Sequence, residues 1–325
     1  MQMNSWIHQI HETTPVQMKG QTWFKRDDLF APLGAGGING AKLRQCIWLV
    51  HRAYEANIPG LVSGASVKSP QLMMTSAVAH HFGMKSHHVI GATKESTMRN
   101  HVSVDIAAEY GATFTILNIG FNPNLQREVT RLVNSDISAY QGWLHLEYGI
   151  SLNHLFHPPE DIEKFHWIGG QQARNIPEEV ETLIVPAGSC NSATSVLYGI
   201  AMYPPPNLKK VILIGIGPSK LQWMERRLDI IRDISGEDVE HPASKVRKWN
   251  WMYCDLHGAG IYSYQDEAEY FLEDITFHPT YEGKCMNYLM ARMPEVFNPT
   301  TCFWIIGGPV DRNYMKDLAT RSVRG

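Results

Sequence analysis

Between residues 22 and 308 the chain alternates, with one interruption, between short apolar runs and longer segments whose apolar residues recur at helical spacing. That alternation constrains the fold more than any other feature. Strands separated by a helix cannot pair as hairpins; they line up in parallel, with the helices as crossovers on the faces. Strands are expected over residues 22–25, 61–63, 88–90, 113–117, 182–186, 211–216 and 302–306. Helices are expected from Lys42 to about Asn57, then over 71–82, 98–110, 123–133 and 161–174, up to Met202, from Pro218 to about Ile234, and over 286–292. Glycine or proline closes several of them: Pro59, Gly83 and Gly111 fall where the periodicity stops. From 134 to 159 the pattern dissolves into an aromatic, histidine-rich connection, read as a hinge. The expected architecture is therefore α/β in two lobes, each a mostly parallel twisted sheet flanked by helices.

The 325 residues and 44% apolar content support a large core or two domains. A net charge of −3 gives no global polycation for nucleic acid or an anionic membrane. No apolar run approaches the roughly 18 residues of a membrane span. The polar start, broken by His8, His11 and Glu12, is unlike a secretory signal. Five scattered cysteines without a CxxC pair point to a reducing, cytoplasmic setting without disulfides or structural zinc. The fifteen histidines form no HExxH, and His80-His81 and His87-His88 are neighbours whose side chains diverge, so no metal is expected.

Chemistry first surfaces in Gly34-Ala35-Gly36-Gly37-Ile38-Asn39-Gly40-Ala41-Lys42-Leu43-Arg44, a glycine-rich loop running into a helix with one lysine at the junction. It is not a Walker loop, because Ala41 follows Gly40 and Leu43 follows Lys42; nor does it have G-x-G-x-x-G spacing. A lysine in a first helical turn sits where unpaired N–H groups concentrate positive potential. That field should lower the pKa of the Lys42 amine and favour the nucleophile that an imine-forming lysine needs. Further on, Gly188-Ser189-Cys190-Asn191-Ser192-Ala193-Thr194 follows a buried strand and opens a helix. Its small residues and hydroxyls suit a phosphate held at a helix N-terminus. Each piece alone also has a plain structural reading: a solvated Lys42, a serine-capped turn at 189, Ser69 as an N-cap, Glu282 as a surface charge.

Together the pieces resemble one family. Lys25-Arg26-Asp27-Asp28-Leu29 with Gly40-Ala41-Lys42-Leu43-Arg44 is similar to the KRDDL…GGNKxRK opening of pyridoxal-phosphate enzymes of the tryptophan synthase β superfamily (fold type II). The branch it most resembles is 1-aminocyclopropane-1-carboxylate deaminase and D-cysteine desulfhydrase. Ser63-Gly64-Ala65 through Ser69-Pro70-Gln71 resembles that branch's SGAxxSNHxRQTAAxA segment, and Pro279-Thr280-Tyr281-Glu282-Gly283-Lys284 its DPVYEGK. Ile306-Gly307-Gly308 falls where its HxGG strand ends. The resemblance implies pyridoxal 5'-phosphate as cofactor, held by Lys42 as an internal aldimine, with Lys42 afterwards moving the substrate α-proton. It implies Ser69 beside the reacting carbon, Tyr281 over the cofactor, and Glu282 as acidic partner of the pyridine nitrogen. Gly188, Ser189, Cys190, Asn191 and Ser192 become the phosphate cradle. A carboxylate at the ring nitrogen favours its protonation, which makes the ring the stronger electron sink. The resemblance also implies a large cofactor-binding domain of residues 1–58 and 160–325, a small mobile substrate-closing domain of 59–159, and a homodimer.

The chain departs from the pattern at Pro70 and Gln71, where the branch has Asn and His, and at Ala41, where it has Asn. Ile261 stands where a second tyrosine is expected, with Tyr262 one place late. These departures leave the substrate and the broken bond open. The leading expectation is a lyase or deaminase working on a small amino acid through an α-carbanion or quinonoid. A second is α-decarboxylation, or action on an amino acid attached to something larger. The run Lys245, Arg247, Lys248 with Trp249 and Trp251 would suit a nucleic-acid-linked substrate, with charges on phosphates and rings on bases. A third is a non-catalytic binding protein with a vestigial pocket.

Overall fold

The structure, a computed structural model, describes residues 5–153, 155, 157–234 and 250–322. The larger of two main sheets has the order β1 (Val16–Lys19), β2 (Thr22–Arg26), β12 (Thr301–Ile305), β7 (Thr182–Ala187), β8 (Lys210–Gly215), β9 (Asn250–Asp255). Its neighbours are parallel except at the edge, where β1 runs antiparallel to β2. The smaller sheet, β5 (Thr113–Leu117), β4 (Lys85–Gly91), β3 (Gly60–Gly64), β6 (Leu144–Leu146), is parallel throughout. A short hairpin, β10 (Phe271–Leu272) and β11 (Ile275–Thr276), stands apart from both. Ten α-helices are described: α1 (Ser5–Gln9), α2 (Ala41–Glu55), α3 (Gln71–His81), α4 (Val102–Glu109), α5 (Asn122–Asn134), α6 (Pro159–Gly170), α7 (Asn191–Met202), α8 (Leu221–Ile234), α9 (Glu282–Arg292) and α10 (Arg312–Ser322). The expected α/β architecture of parallel sheets and flanking helices is the one observed.

The central strands are apolar because both faces are covered. Leu183, Ile184 and Val185 of β7 and Val211, Leu213 and Ile214 of β8 have no exposed surface. One core runs from the large sheet through α6 and α7 into α2 and α3, so the two lobes share packing around α2. Leu43, Cys46, Ile47, Leu49, Val50 and Ala53 of α2 are all buried. Each of the larger ones contributes roughly 1.5–3 kcal/mol by leaving water. A helix held that firmly fixes whatever its first turn carries.

Some boundaries differ from expectation. Residues 98–110 split into a 3-10 turn over Met98–Asn100 and then α4, and the helix expected to Arg174 gives way to a 3-10 turn after Gly170. The 134–159 connection contains β6, which extends the small sheet. The basic run Lys245, Arg247, Lys248 with Trp249, read as a surface for a nucleic-acid-linked substrate, lies outside the described residues. Trp251 lies on β9 and packs against the main core.

Candidate active site

Three helices start at one cleft. α2 begins just after Gly40, α7 follows the turn that leaves β7, and α9 opens with Glu282. The loop leaving β12 completes the wall: Ala41 N–H donates to Ile306 O at 2.8 Å, joining the head of α2 to the end of that strand. Gly40 has φ +107°, and a Cβ there would lie 2.6 Å from Ile306 O, so the junction requires glycine. The cleft is partly open to solvent. Lys42, Ser69, Gly188, Ser189, Cys190, Ser192, Tyr281 and Glu282 all line it. Asn191 is the candidate that turns aside: its Nδ2 donates to Gly149 O at 3.1 Å.

Lys42 Nζ donates to Ser189 Oγ at 3.0 Å, joining the lysine to the glycine-serine turn. Its pKa is lowered to about 8, in the expected direction but for a different leading reason. Burial disfavours the ammonium, while Cys190 and Glu282 pull the other way. Glu282 is 2% exposed, not a surface charge. Its Oε1 accepts the N–H groups of Ile306 (3.1 Å) and Gly307 (3.2 Å); its Oε2 is buried without a partner among the described residues. Desolvation lifts its pKa to about 8 against those hydrogen bonds. A carboxyl group in this state has one oxygen pinned and the other open to a new partner.

Cys190 adopts φ +61° as the N-cap of α7, and the first N–H groups of that helix have no intrahelical partner. Ser192 Oγ is buried and unpartnered among the described residues. Both features suit a bound anion. The small lobe reaches this turn through Gly149, φ +76°, where a Cβ would lie 2.5 Å from Ser189 Oγ. Ser69, just before α3, accepts the Gln71 N–H at 3.3 Å. It is not the N-cap, a place Pro70 takes. Tyr281 is half-buried and shares a 2.8 Å hydrogen bond between its hydroxyl and that of Tyr264; desolvation raises its pKa well above the usual tyrosine value.

Tyr264 was not expected here. Tyr262, one place late in the sequence, belongs instead to the core beneath the large sheet. His278 also lines the cleft and was missed, although its position just before Pro279 in the recognised motif was a usable signal. Asn39 joins them by accepting Gly308 N–H at 2.7 Å. Part of the opening motif, by contrast, is scaffold. Lys25 donates to Thr14 O and Asn175 Oδ1, while Asp27 accepts from Thr14 and the Trp304 ring. Among the described residues no three His, Cys, Asp or Glu side chains gather as a metal site, and no helix is long and apolar enough to cross a membrane.

No family model matches the chain. It is 38% identical, over 93% of its length and 83% of the other's, to the O-seryl-dTMP PLP-dependent decarboxylase of Salmonella phage ViI. Among solved structures, an ACC deaminase homologue superposes with TM-score 0.69 at 16% identity over 98% of both chains. Escherichia coli diaminopropionate ammonia lyase, in complex with an aminoacrylate-PLP azomethine reaction intermediate, gives 0.59 at 11% identity over 98% of this chain and 92% of that one. Threonine deaminase isoform 2 of Solanum lycopersicum gives 0.58 at 12% identity over 97% and 92%. At those identities the likeness to solved structures is one of fold.

Proposed function

We propose, for a chain that belongs to the pyridoxal-phosphate-dependent enzymes of fold type II, that it removes the α-carboxylate of an amino acid joined to a nucleotide. The observation that carries this reading is the 38% identity to a decarboxylase named for O-seryl-dTMP. A serine that is to lose its carboxylate must keep it free, so in such a substrate the nucleotide is attached through the side-chain oxygen.

The residues of the cleft fit pyridoxal phosphate. Lys42 would hold its aldehyde carbon. The turn from Gly188 to Ser192 would take its phosphate on the open N–H groups of α7, with the unpartnered Ser192 hydroxyl beside them. The free Oε2 of Glu282 would accept from the ring nitrogen. Tyr281, steadied by Tyr264, would cover the ring. When bound, the cofactor supplies an electron sink for the pair left at Cα when a bond to that carbon breaks.

The loop at Ser69 favours loss of carbon dioxide over proton abstraction. Pro70 has no N–H to offer a carboxylate. The Gln71 amide is tied at both ends, its Nε2 donating to Glu147 O (3.2 Å) and its Oε1 accepting from Gly149 N–H (2.7 Å). Ser69 N–H is taken by Ser66 O. The Ser69 hydroxyl, which accepts the Gln71 N–H, still has its own proton to donate. A carboxylate held there is poorly solvated, and losing its charge as carbon dioxide relieves that penalty. Lys42 Nζ, with its lowered pKa, is the group suited to return a proton to Cα.

The test is to incubate the holoenzyme with O-seryl-dTMP and follow carbon dioxide, ammonia and the nucleotide product. Carbon dioxide with an amine-bearing nucleotide supports the reading. Ammonia and an oxo acid without carbon dioxide would replace it with the deaminase reading that the residues at 42, 69, 281 and 282 first suggested.

A further inference from the structure

An amino acid linked through its β-oxygen carries a hazard. Once the Cα–carboxylate bond breaks, the pair left at Cα has two fates. It can take a proton, giving an amine with the Cβ–O bond intact. Or it can form a Cα–Cβ double bond and expel the β-oxygen: the Cβ–O bond breaks, its electrons leave with the nucleotide's oxygen, which takes up a proton, and protonation at Cβ followed by water releases the two-carbon remainder as aldehyde and ammonia. The second fate is helped by any acid that can hand a proton to the leaving oxygen, typically by about 10²–10⁴-fold. A decarboxylase for such a substrate must bind that oxygen without an acid beside it.

The donors of the cleft are mostly committed. Tyr281 pairs with Tyr264, Asn39 Nδ2 donates to Gly37 O, and the Gly307 and Gly308 N–H groups go to Glu282 and Asn39. Ser189 and Ser192 belong to the phosphate turn, and Lys42 to the reacting carbon. His278 is different. Its Nδ1 accepts the Thr280 N–H at 3.2 Å, which assigns the ring proton to Nε2. That Nε2–H has no hydrogen-bond partner among the described residues, on a ring that lines the cleft 5.0 Å from the Tyr281 ring.

The backbone around His278 is rigid: its carbonyl accepts the N–H groups of both Tyr281 and Gly283. A second proton on the ring would set Nδ1–H against Thr280 N–H, so the geometry keeps the imidazole neutral. Burial acts in the same direction, lowering its pKa to about 4 with Glu267 and Lys284 opposing each other nearby. His278 also stands where the DPVYEGK motif begins with an aspartate.

We infer that His278 is a specificity-determining residue: a neutral N–H donor to the β-oxygen of a nucleotide-linked amino acid, which holds that oxygen without supplying the proton that would expel it. This rests on the proposed decarboxylation.

The experiment compares wild type, His278→Gln and His278→Asp holoenzymes on O-seryl-dTMP. In the same samples it measures carbon dioxide and the ratio of nucleotide freed of its serine to amine-bearing nucleotide. As the pH is lowered through the range in which the introduced, partly buried carboxyl takes up its proton, that ratio should rise about a hundredfold or more in His278→Asp, the low end of general-acid assistance, and it should stay within about twofold of wild type in His278→Gln whatever happens to its rate. An equal fraction in all three proteins overturns the inference while leaving decarboxylation standing. Absence of carbon dioxide from wild type overturns the decarboxylation itself, and this inference with it. Nitrogen-15 spectra of the imidazole in the apoenzyme give a readout free of turnover. Protonation at Nε2 alone at neutral pH is the expected result, and a doubly protonated or Nδ1–H ring refutes it.

Discussion

Replacing Glu282 by glutamine tests the acid at the heart of the cleft through stability alone. In the folded apoprotein its carboxyl has a pKa of about 8, against 4.5 for an unperturbed glutamate, and the cause is burial. At pH 7 the folded group is therefore about ten-to-one protonated, whereas the unfolded one is ionised. Because the folded pKa is the higher, the folded state binds the extra proton. The resulting stabilisation is complete below about pH 4.5 and is lost as pH rises through 8. Between pH 5 and pH 8 the change amounts to about 4 kcal/mol. At roughly 2 °C per kcal/mol, apoenzyme Tm should drift down by about 8 °C relative to Glu282→Gln, whose amide keeps an acceptor for Ile306 and Gly307 but cannot titrate. The assay is thermal unfolding of both apoproteins across that range, with other titrating groups cancelling in the difference. Saturating pyridoxal phosphate should flatten the wild-type curve, because a ring N–H held by Glu282 would give the ionised carboxylate a partner. Parallel curves for the two apoproteins would refute the reasoning.

Lys42→Ala should remove the visible absorbance of bound cofactor and all turnover, while apoenzyme Tm stays equal or rises, since a buried amine is being deleted. Gly149→Ala places a Cβ against Ser189 at a positive φ. It should cost about 2–3 kcal/mol by denaturant unfolding and weaken pyridoxal phosphate binding at least about tenfold by titration. Tyr264→Phe leaves the half-buried Tyr281 hydroxyl without its partner and should cost about 1 kcal/mol in unfolding, with kcat falling more than cofactor affinity. Lys68 donates to Gln265 O and to Glu267, tying the loop before Ser69 to the segment that carries Tyr264. If the small lobe closes on substrate, Lys68→Ala should raise KM several-fold with kcat nearly unchanged. The pair is solvent-exposed, so its double-mutant coupling in unfolding should stay under about 1 kcal/mol.

What the sequence made legible was whatever depends on local pattern. Parallel strands buried on both faces read as bare apolar runs, so β7, β8 and β12 stood out. The edge strand β1, Val16-Gln17-Met18-Lys19, is four residues long, mixes polar with apolar side chains and exposes Met18, so it could not be told from a turn. β6 is three residues long and exists because the small sheet offers β3 as a partner, a tertiary fact with no local signature. The same division runs through the site. Lys42, the turn at 188–192 and Glu282 each sit at a helix start, and helix starts announce themselves. Tyr264 reaches Tyr281 from an irregular segment in which no periodicity fixes which of two nearby tyrosines meets it; the structure chooses the later one. The Lys42 pKa shows the limit most clearly. A helix dipole is legible from position, but desolvation depends on what packs around the amine, and that comes from segments far off in sequence, those of Ser189, Cys190 and Glu282. His278 lies between the two cases. The residue type was visible beside a recognised motif, yet its meaning depends on a single contact, Thr280 N–H to Nδ1, which turns an ambiguous imidazole into a donor of one kind. Where a reaction is chosen among several that one cofactor allows, the choice rests on contacts of that size, and sequence pattern does not resolve them.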